Sequence, residues 1–311
     1  MFTLRQLEFV VAVAEEGGFT AAAARCHTVQ SALSHQVARL EEAFGARLFE
    51  RGHRQVRPTA AGEVFLRNAR LTLQAADRLQ EEMALALGTV RGRIHIGQIT
   101  ALTVVDVPDL LARFRGAYPA VDVHLRVGMS EELLAELAEG RLDVALVGVG
   151  PQVPLPAQHR LLDEEGLSLL LPRGHALAAM QRVPLPALDG VPLAALVPGA
   201  GVRRMMDDAL RERGVAPRLQ YEVSHGELLR QLVAAGLAVA AIPDSMAARM
   251  QGVDVRPLAE PFRFRTCAVW RADPTPAARA LLDLLPAAAT HGPRIEPAKV
   301  RRKPRNPRGR P

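Results

Sequence analysis

The sequence predicts an α/β protein that carries a small all-α head ending in a basic hairpin. Residues 1–60 hold three short helical periods followed by an arginine-rich stretch around Gly52. Residues 59–87 form one uninterrupted helical pattern, and residues 92–288 alternate strand-like with helix-like segments. The length of 311 residues accommodates two or three domains at roughly 100–200 residues each. With 49% apolar and 23% charged residues, the chain has a globular rather than a disordered composition.

Several classes are excluded at once. Cys26 and Cys267 stand far apart, which leaves no disulfide framework and no Cys-rich zinc site. The longest apolar run, Leu232 to Ile242, has 11 residues and is too short to cross a bilayer. The N-terminus enters a charged periodic segment, Leu4-Arg5-Gln6-Leu7-Glu8, without an apolar signal core. The expectation is a soluble cytoplasmic protein. The net charge of +6 is localised: His291 to Pro311 holds eight basic residues against Glu296, a contribution of +7 that leaves −1 for the other 290 residues. Nucleic-acid binding by the body must therefore be argued from local charge placement, not from overall charge.

In the head, Leu4, Leu7, Val11 and Ala14 mark a first helix stopped by Gly17-Gly18. Thr20 is the expected N-cap of a short helix over Ala21–Arg25. A third helix is expected from about Gln30 to Ala43, with Leu33, Val37, Leu40 and Phe44 on its core face. Ser31, Ser34, His35, Ala38 and Arg39 turn the other way. A face of small, hydrogen-bonding side chains suits the major groove, where bulky apolar groups would find no partner. Arg47, Arg51, Arg54 and Arg57 follow within eleven positions of a hairpin around Gly52. Helix, short helix, third helix and basic hairpin is the order of a winged helix-turn-helix, with the third helix in the groove and the wing along the backbone. A protein-binding winged helix remains the alternative at this point.

These residues also carry a resemblance. Leu4-Arg5-Gln6-Leu7-Glu8-Phe9, Gly18-Phe19-Thr20-Ala21-Ala22-Ala23, Gln30-Ser31-Ala32-Leu33-Ser34-His35-Gln36-Val37, Leu40-Glu41, Gly45, Leu48-Phe49-Glu50-Arg51 and Thr59-Ala60-Ala61-Gly62 together resemble the start of LysR-type transcriptional regulators. Three positions depart from that pattern. Cys26 stands where a leucine is usual, Thr28-Val29 reverses the usual apolar–hydroxyl order before Gln30, and His35 replaces a common base-contacting arginine. The second departure predicts either a different start for the third helix or the loss of an N-cap contribution of ~1 kcal/mol. The third predicts fewer donors to bases.

From Thr59 the helix is expected to run to about Leu87. Phe65, Ala69, Thr72, Ala76, Leu79, Met83 and Ala86 alternate steps of four and three, a heptad seam. A long helix outside a globular core needs a partner for that stripe, so Phe65, Ala69, Thr72, Ala76, Leu79 and Met83 are expected to dimerise.

In the α/β region, Ile94–Gly97 starts a strand and a helix follows from Val105 to Tyr118. Val121–Val127 alternates as a half-buried strand, Glu131–Glu139 is helical, and Leu142–Val147 is a buried strand. This βαβαβ order implies a parallel sheet. A second such unit is expected over Gly166–Leu170, Pro192–Val197, Val202–Arg213, Leu219–Val223, Glu227–Ala235 and Ala238–Ile242. The chain then returns through Cys267–Arg271 and a helix over Thr275–Leu285. Residues 92 to about 288 thus resemble the two-lobed, type 2 periplasmic-binding-protein-like effector domain of the same family.

The expected division is 1–58 winged helix-turn-helix, 59–88 linker helix, 89–288 effector domain and 289–311 disordered basic tail. The first lobe comprises about 89–162 and 266–288, the second about 163–265. Gln30, Ser31, Ser34, His35 and Arg39 are expected at base edges or their flanks, with Thr28, Arg51, Arg54 and Arg57 on phosphates or the minor groove. The effector is expected between the lobes. Its candidate contacts are Thr100, Gly128, Met129, Gly148 and Val149 on one, and Gly199, Ala200, Gly201, Val202, His225 and Ile242 on the other. Thr100 is read as an N-cap, as a carboxylate contact, or as both. Ala238 departs from a second glycine common after Gly236.

The resemblance implies a double-stranded DNA operator, a small effector of organic-acid or aromatic type, a dimer or dimer of dimers, and contact with RNA polymerase. No catalytic constellation, cofactor motif or metal-ligand spacing is visible. The rival expectations are a small-molecule-binding protein or enzyme on the lobes, and a nonspecific nucleic-acid binder driven by the tail.

Overall fold

The computed structural model describes residues 2–51, 56–156 and 158–286. The expectations for Arg54 and for the basic tail fall outside them.

The head begins with α1 (Leu4–Glu16), set by a capping box. The Thr3 hydroxyl accepts the Gln6 N–H at 3.3 Å, and the Gln6 side chain accepts the Thr3 N–H at 3.0 Å. Gly17, left-handed at φ +65°, ends it. Next comes α2 (Phe19–Arg25), whose N-cap is Gly18 and not the expected Thr20. The helix starts early because Phe19 packs inward, its ring 6.0 Å from that of Phe49. In α3 (Gln30–Phe44) the N-cap Val29 makes no side-chain cap bond, one of the two outcomes that the Thr28-Val29 order predicts. Leu33, Val37 and Leu40 are buried. Phe44, expected in the core, is instead 51% exposed, its ring against Phe65 at 5.3 Å.

Strands β1 (Phe49–Arg51) and β2 (Val56–Pro58) pair antiparallel with Glu50 opposite Arg57. The Glu41 carboxylate anchors the approach to this wing by accepting the Leu48 and Phe49 N–H groups at 2.8 and 3.3 Å. Thr59 then caps α4 (Ala60–Ala86) by accepting the Gly62 N–H at 3.0 Å. It also donates its hydroxyl to the Arg47 carbonyl at 2.7 Å. Gly62 passes so close to the Leu48 carbonyl that a Cβ would collide with it.

Beyond α4 the chain forms β3 (Gly92–Ile99), α5 (Val107–Ala117), β4 (Val121–Gly128), α6 (Ser130–Ala138), β5 (Val144–Val149) and β6 (His159–Glu165). There follow β7 (Leu167–Leu171), β8 (Pro192–Leu196), α7 (Gly201–Glu212), β9 (Arg218–Val223), α8 (Gly226–Ala234) and β10 (Ala240–Pro243). The last elements are α9 (Asp244–Ala247), β11 (Asp254–Pro257), β12 (Phe264–Trp270) and α10 (Pro276–Leu284).

The described residues divide into two compact units: one spans 2–148, 154–162 and 266–286, the other 149–153 and 163–265. In the first, β3 pairs parallel with both β4 and β5, within the order β4-β3-β5-β12-β6. This is the βαβαβ arrangement read from the sequence. Ile94, Ile96, Phe114, Leu146 and Leu281 share the core beneath α5 and α10. Gly97 lets Leu133 of α6 and Leu142 close onto β3, where a Cβ would meet their methyls at 2.7 and 2.6 Å.

In the second unit β8 and β9 are parallel, but β7 lies between β10 and β11 and is antiparallel to both. This corrects the expectation of a second βαβ unit that starts at β7. A fully buried apolar run such as Leu167–Leu171 has the same residue pattern in either strand direction, so the sequence does not reveal which occurs.

Candidate functional site

The α3 helix has two chemically distinct faces. Leu33, Val37 and Leu40 are at most 2% exposed in the head core. On the other side Gln30, Ser31, His35 and Arg39 are exposed, with Ala32 and Ala38 between them, and Ser34 is half-buried. Ser31, His35 and Arg39 follow at i, i+4 and i+8 and so form one row. The Oε1 of Gln36 is turned toward α1, where it accepts from the Gln6 amide at 2.8 Å.

The flanks of this face differ in character. Thr28 is half-buried and its N–H donates to the Ala23 carbonyl at 2.9 Å, which holds the turn before α3. Arg57 is exposed on β2, and the Val56 N–H donates to the Gly17 carbonyl at 3.2 Å, tying the wing to the end of α1. Arg51 is the last residue of β1, opposite Val56. Arg5 is engaged, bonded to the Cys26 carbonyl and paired with Glu8 at 2.6 Å.

The expected seam on α4 splits. Ala69 is 3% exposed in the head's own core, and Phe65, half-buried, packs against that core. Thr72, Leu79 and Met83 are exposed, the last two by 67% and 58%, while Ala76 is half-buried. A different stripe of the same helix, with Gln74, Glu81 and Ala84, faces the α/β part of its unit: Gln74 donates to the Gly140 carbonyl and accepts from Arg271.

Among the candidates at the ends of β3, β4 and β5, Thr100 lies just after β3 and is half-buried. It is not an N-cap. Asp106 caps α5 by accepting the Asp109 N–H at 3.0 Å, so that helix start already carries two acids and repels a carboxylate. Gly128 is buried at the end of β4, and Met129 is the half-buried N-cap of α6. Gly148 and Val149 are buried in β5. Sequence reasoning missed Ser130, 1% exposed, whose hydroxyl donates to the Gly148 carbonyl at 2.7 Å and accepts the Gly148 N–H at 3.2 Å. A serine at the first position of a helix was the only available signal.

In the second unit Gly199 is left-handed at φ +92°, and Ala200 is the N-cap of α7 without any side-chain cap. As first-turn groups the amides of Gly201 and Val202 lack an intrahelical acceptor, and no acid in that turn offsets the positive helix end. Burial works against the charge of Arg203, but its bonds to Glu222 and Asp207, at 2.5 and 2.7 Å, outweigh this and raise its pKa. His225 is exposed at the start of α8, its Nδ1 2.7 Å from the Ser224 hydroxyl. Ile242 is 0% exposed in β10, so its side chain is core.

Both cysteines are buried, and burial pushes the Cys26 thiol up. Among the described residues no His/Cys/Asp/Glu group could hold a metal ion, and no helix is long and apolar enough to cross a membrane.

Comparison with known proteins assigns both parts of the chain to one family. Residues 4–63 match the model for the bacterial regulatory helix-turn-helix protein, lysR family, and residues 87–290 match the LysR substrate binding domain. The hydrogen peroxide-inducible genes activator of Pectobacterium carotovorum subsp. carotovorum is 30% identical over 269 residues, 86% of this chain and 89% of that one. A full-length OxyR variant from Pseudomonas aeruginosa superposes with a TM-score of 0.69 at 27% identity, covering 92% of this chain and 95% of the other. Full-length CbnR in complex with its target DNA gives a TM-score of 0.59 at 25% identity, with coverage of 91% and 99%.

Proposed function

Since the chain belongs to the LysR family of DNA-binding transcriptional regulators with an effector-binding domain, we propose that α3 reads its operator through Gln30, Ser31, Ser34, His35 and Arg39. The observation that carries this is the exposed row Ser31, His35 and Arg39, opposite a fully packed face of the same helix. Side chains of this size and hydrogen-bonding capacity reach base edges in the major groove. Thr28, Arg51, Arg54 and Arg57 contact phosphates or the minor groove and set the register. The family and the relatives are regulators, not enzymes.

The decisive experiment is a DNase footprint on the DNA upstream of the gene, at physiological salt, with the full chain and with residues 291–311 removed. A two-fold symmetric protected stretch in both forms supports the reading. Protection that disappears with the tail sinks operator reading by α3. Ser34→Glu should abolish the footprint while leaving the helix content unchanged.

For the effector, the amides of Gly201 and Val202 are the reading's main contacts, with Gly199, Ala200 and His225 beside them. Thr100, Gly128, Met129 and Gly148 are the corresponding assignments in the other unit, and Val149 follows Gly148 on β5. An uncapped helix start without first-turn acids suits a carboxylate or another acceptor-rich group, whereas the start of α5 does not. An organic or aromatic acid is therefore the class to screen by thermal shift, and Val202→Asp should remove its effect. To switch transcription, the effector must bind two poses of the regulator with different affinity. The same switch would act on RNA polymerase, which a pull-down on operator DNA tests. We place this work in the cytoplasm, with the genome. Peroxide, named for the Pectobacterium relative, is not the proposed signal, because Cys26 and Cys267 are only 8% and 1% exposed.

A further inference from the structure

A concave site lies in the unit of residues 163–265, and no residue of α7 lines it. It is a cavity of about 580 Å³ on which Arg173, Arg230 and Arg249 converge, with Glu227 as its one acid. Three separate elements bring the arginines together. Arg173 follows β7, Arg230 stands on α8, and Arg249 follows α9. The β7–β11 register pairs Leu171 with Asp254, and continuing it two residues sets Gly252 opposite Arg173.

Arg230 is fixed from two sides. Its Nε and one terminal nitrogen donate to the two Glu227 oxygens at 2.9 and 2.6 Å, and the other terminal nitrogen donates to the Gln251 carbonyl at 2.9 Å. Gly252, at φ +82°, runs beside that guanidinium, where a Cβ would stand 3.5 Å from it. Glu227 is thus committed to Arg230, and it also accepts from Gln231 at 3.2 Å. Arg173 has no hydrogen-bond or ion-pair partner among the described residues, although its turn is held by Asp254, which accepts the Gly174 N–H at 3.1 Å. Elsewhere in this unit Arg203, Arg211, Arg213 and Arg263 each pair with an acid.

We propose that this cavity is a binding site for a phosphate-bearing small molecule, held by Arg173, Arg230 and Arg249. The lining holds three guanidinium groups and one carboxylate, a basic balance that suits a phosphate. Guanidinium forks present paired donors to phosphate oxygens, and a pre-oriented one loses little freedom on binding. The volume lies within the ~300–1,000 Å³ of small-molecule pockets, so it has room for the body of a metabolite beyond its phosphate.

The test is isothermal titration of the full chain at constant ionic strength, with inorganic phosphate and 3-phosphoglycerate as probes. The expected result is saturable binding, one per chain, weakened at least ~10-fold in the Arg173→Ala/Arg249→Ala double variant. Arg211→Ala, on the surface of the same unit, should leave it unchanged. Tighter binding of 3-phosphoglycerate identifies a phosphorylated metabolite as the ligand, and equal binding identifies phosphate itself. The proposal is overturned if neither probe saturates at tens of millimolar. It is equally overturned if the double variant binds like the parent, or if binding is lost instead with Val202→Asp or with removal of residues 291–311.

Discussion

The Glu81 carboxylate on α4 lies against the backbone of Gly92 at the start of β3, so close that any Cβ at position 92 would collide with it. The Arg93 N–H donates to its Oε1 at 3.4 Å, while Oε2 has no hydrogen-bond partner. With Glu81 only 6% exposed, the carboxyl is pushed up to about 7, by desolvation first. The Arg93 N–H works in the opposite direction, and Asp143, Asp77 and Glu82 add repulsion. The contact joins the long helix to the first strand of the sheet in its own unit.

A pH dependence follows. The folded state holds a proton on Glu81 that the unfolded chain releases near 4.5. The stability associated with this proton is complete below that value and is lost as pH rises through about 7. Glu81→Gln should therefore raise the melting temperature at pH 8 and flatten its fall between pH 5 and pH 8. An unchanged pH profile in the variant would contradict the burial argument.

Gly62→Ala forces a methyl into the Leu48 carbonyl at the junction of head and long helix. Overpacking of this kind costs about 1–3 kcal/mol. Thermal unfolding should show the loss, and the footprint should weaken with it.

Arg57 is exposed on β2 opposite Glu50. If it holds a phosphate, Arg57→Ala should weaken binding to all DNA sequences alike and lower the salt slope by about 1. His35→Ala should instead change which operator is preferred. Titrations at several salt concentrations on two operators separate these effects.

Leu79 and Met83 expose 67% and 58% of their surface on one side of α4. Leu79→Glu/Met83→Glu should dissociate the oligomer in sedimentation experiments at micromolar concentration, without loss of helical signal. Ala69→Glu should instead unfold the head, because that position is core.

Ser130→Ala removes both bonds to Gly148 and leaves a buried N–H and C=O without this partner. The expected cost is about 1–3 kcal/mol, read by denaturant titration. Ser130→Thr, which keeps the hydroxyl, should recover part of it.

The order of elements in the head, the single long helix and the parallel β4-β3-β5 arrangement were legible from the sequence alone. Each depends on local periodicity, on capping chemistry such as Thr3 with Gln6 and Thr59 with Gly62, or on the alternation of strands and helices. The division of α3 into a core face and an exposed polar face was legible for the same reason. Partner choice was not. Phe65 and Ala69 have the same heptad spacing as Leu79 and Met83, yet the first pair packs into the head and the second stays exposed, since periodicity identifies a face without identifying what covers it. The antiparallel setting of β7 was hidden because a buried apolar strand has one pattern for both directions. The cap of α5 at Asp106, the bridge from Ser130 to Gly148, and the meeting of Arg173, Arg230 and Arg249 join residues from different elements or choose among equivalent local signals. Only tertiary packing, which decides which side chains lose water together, could determine them.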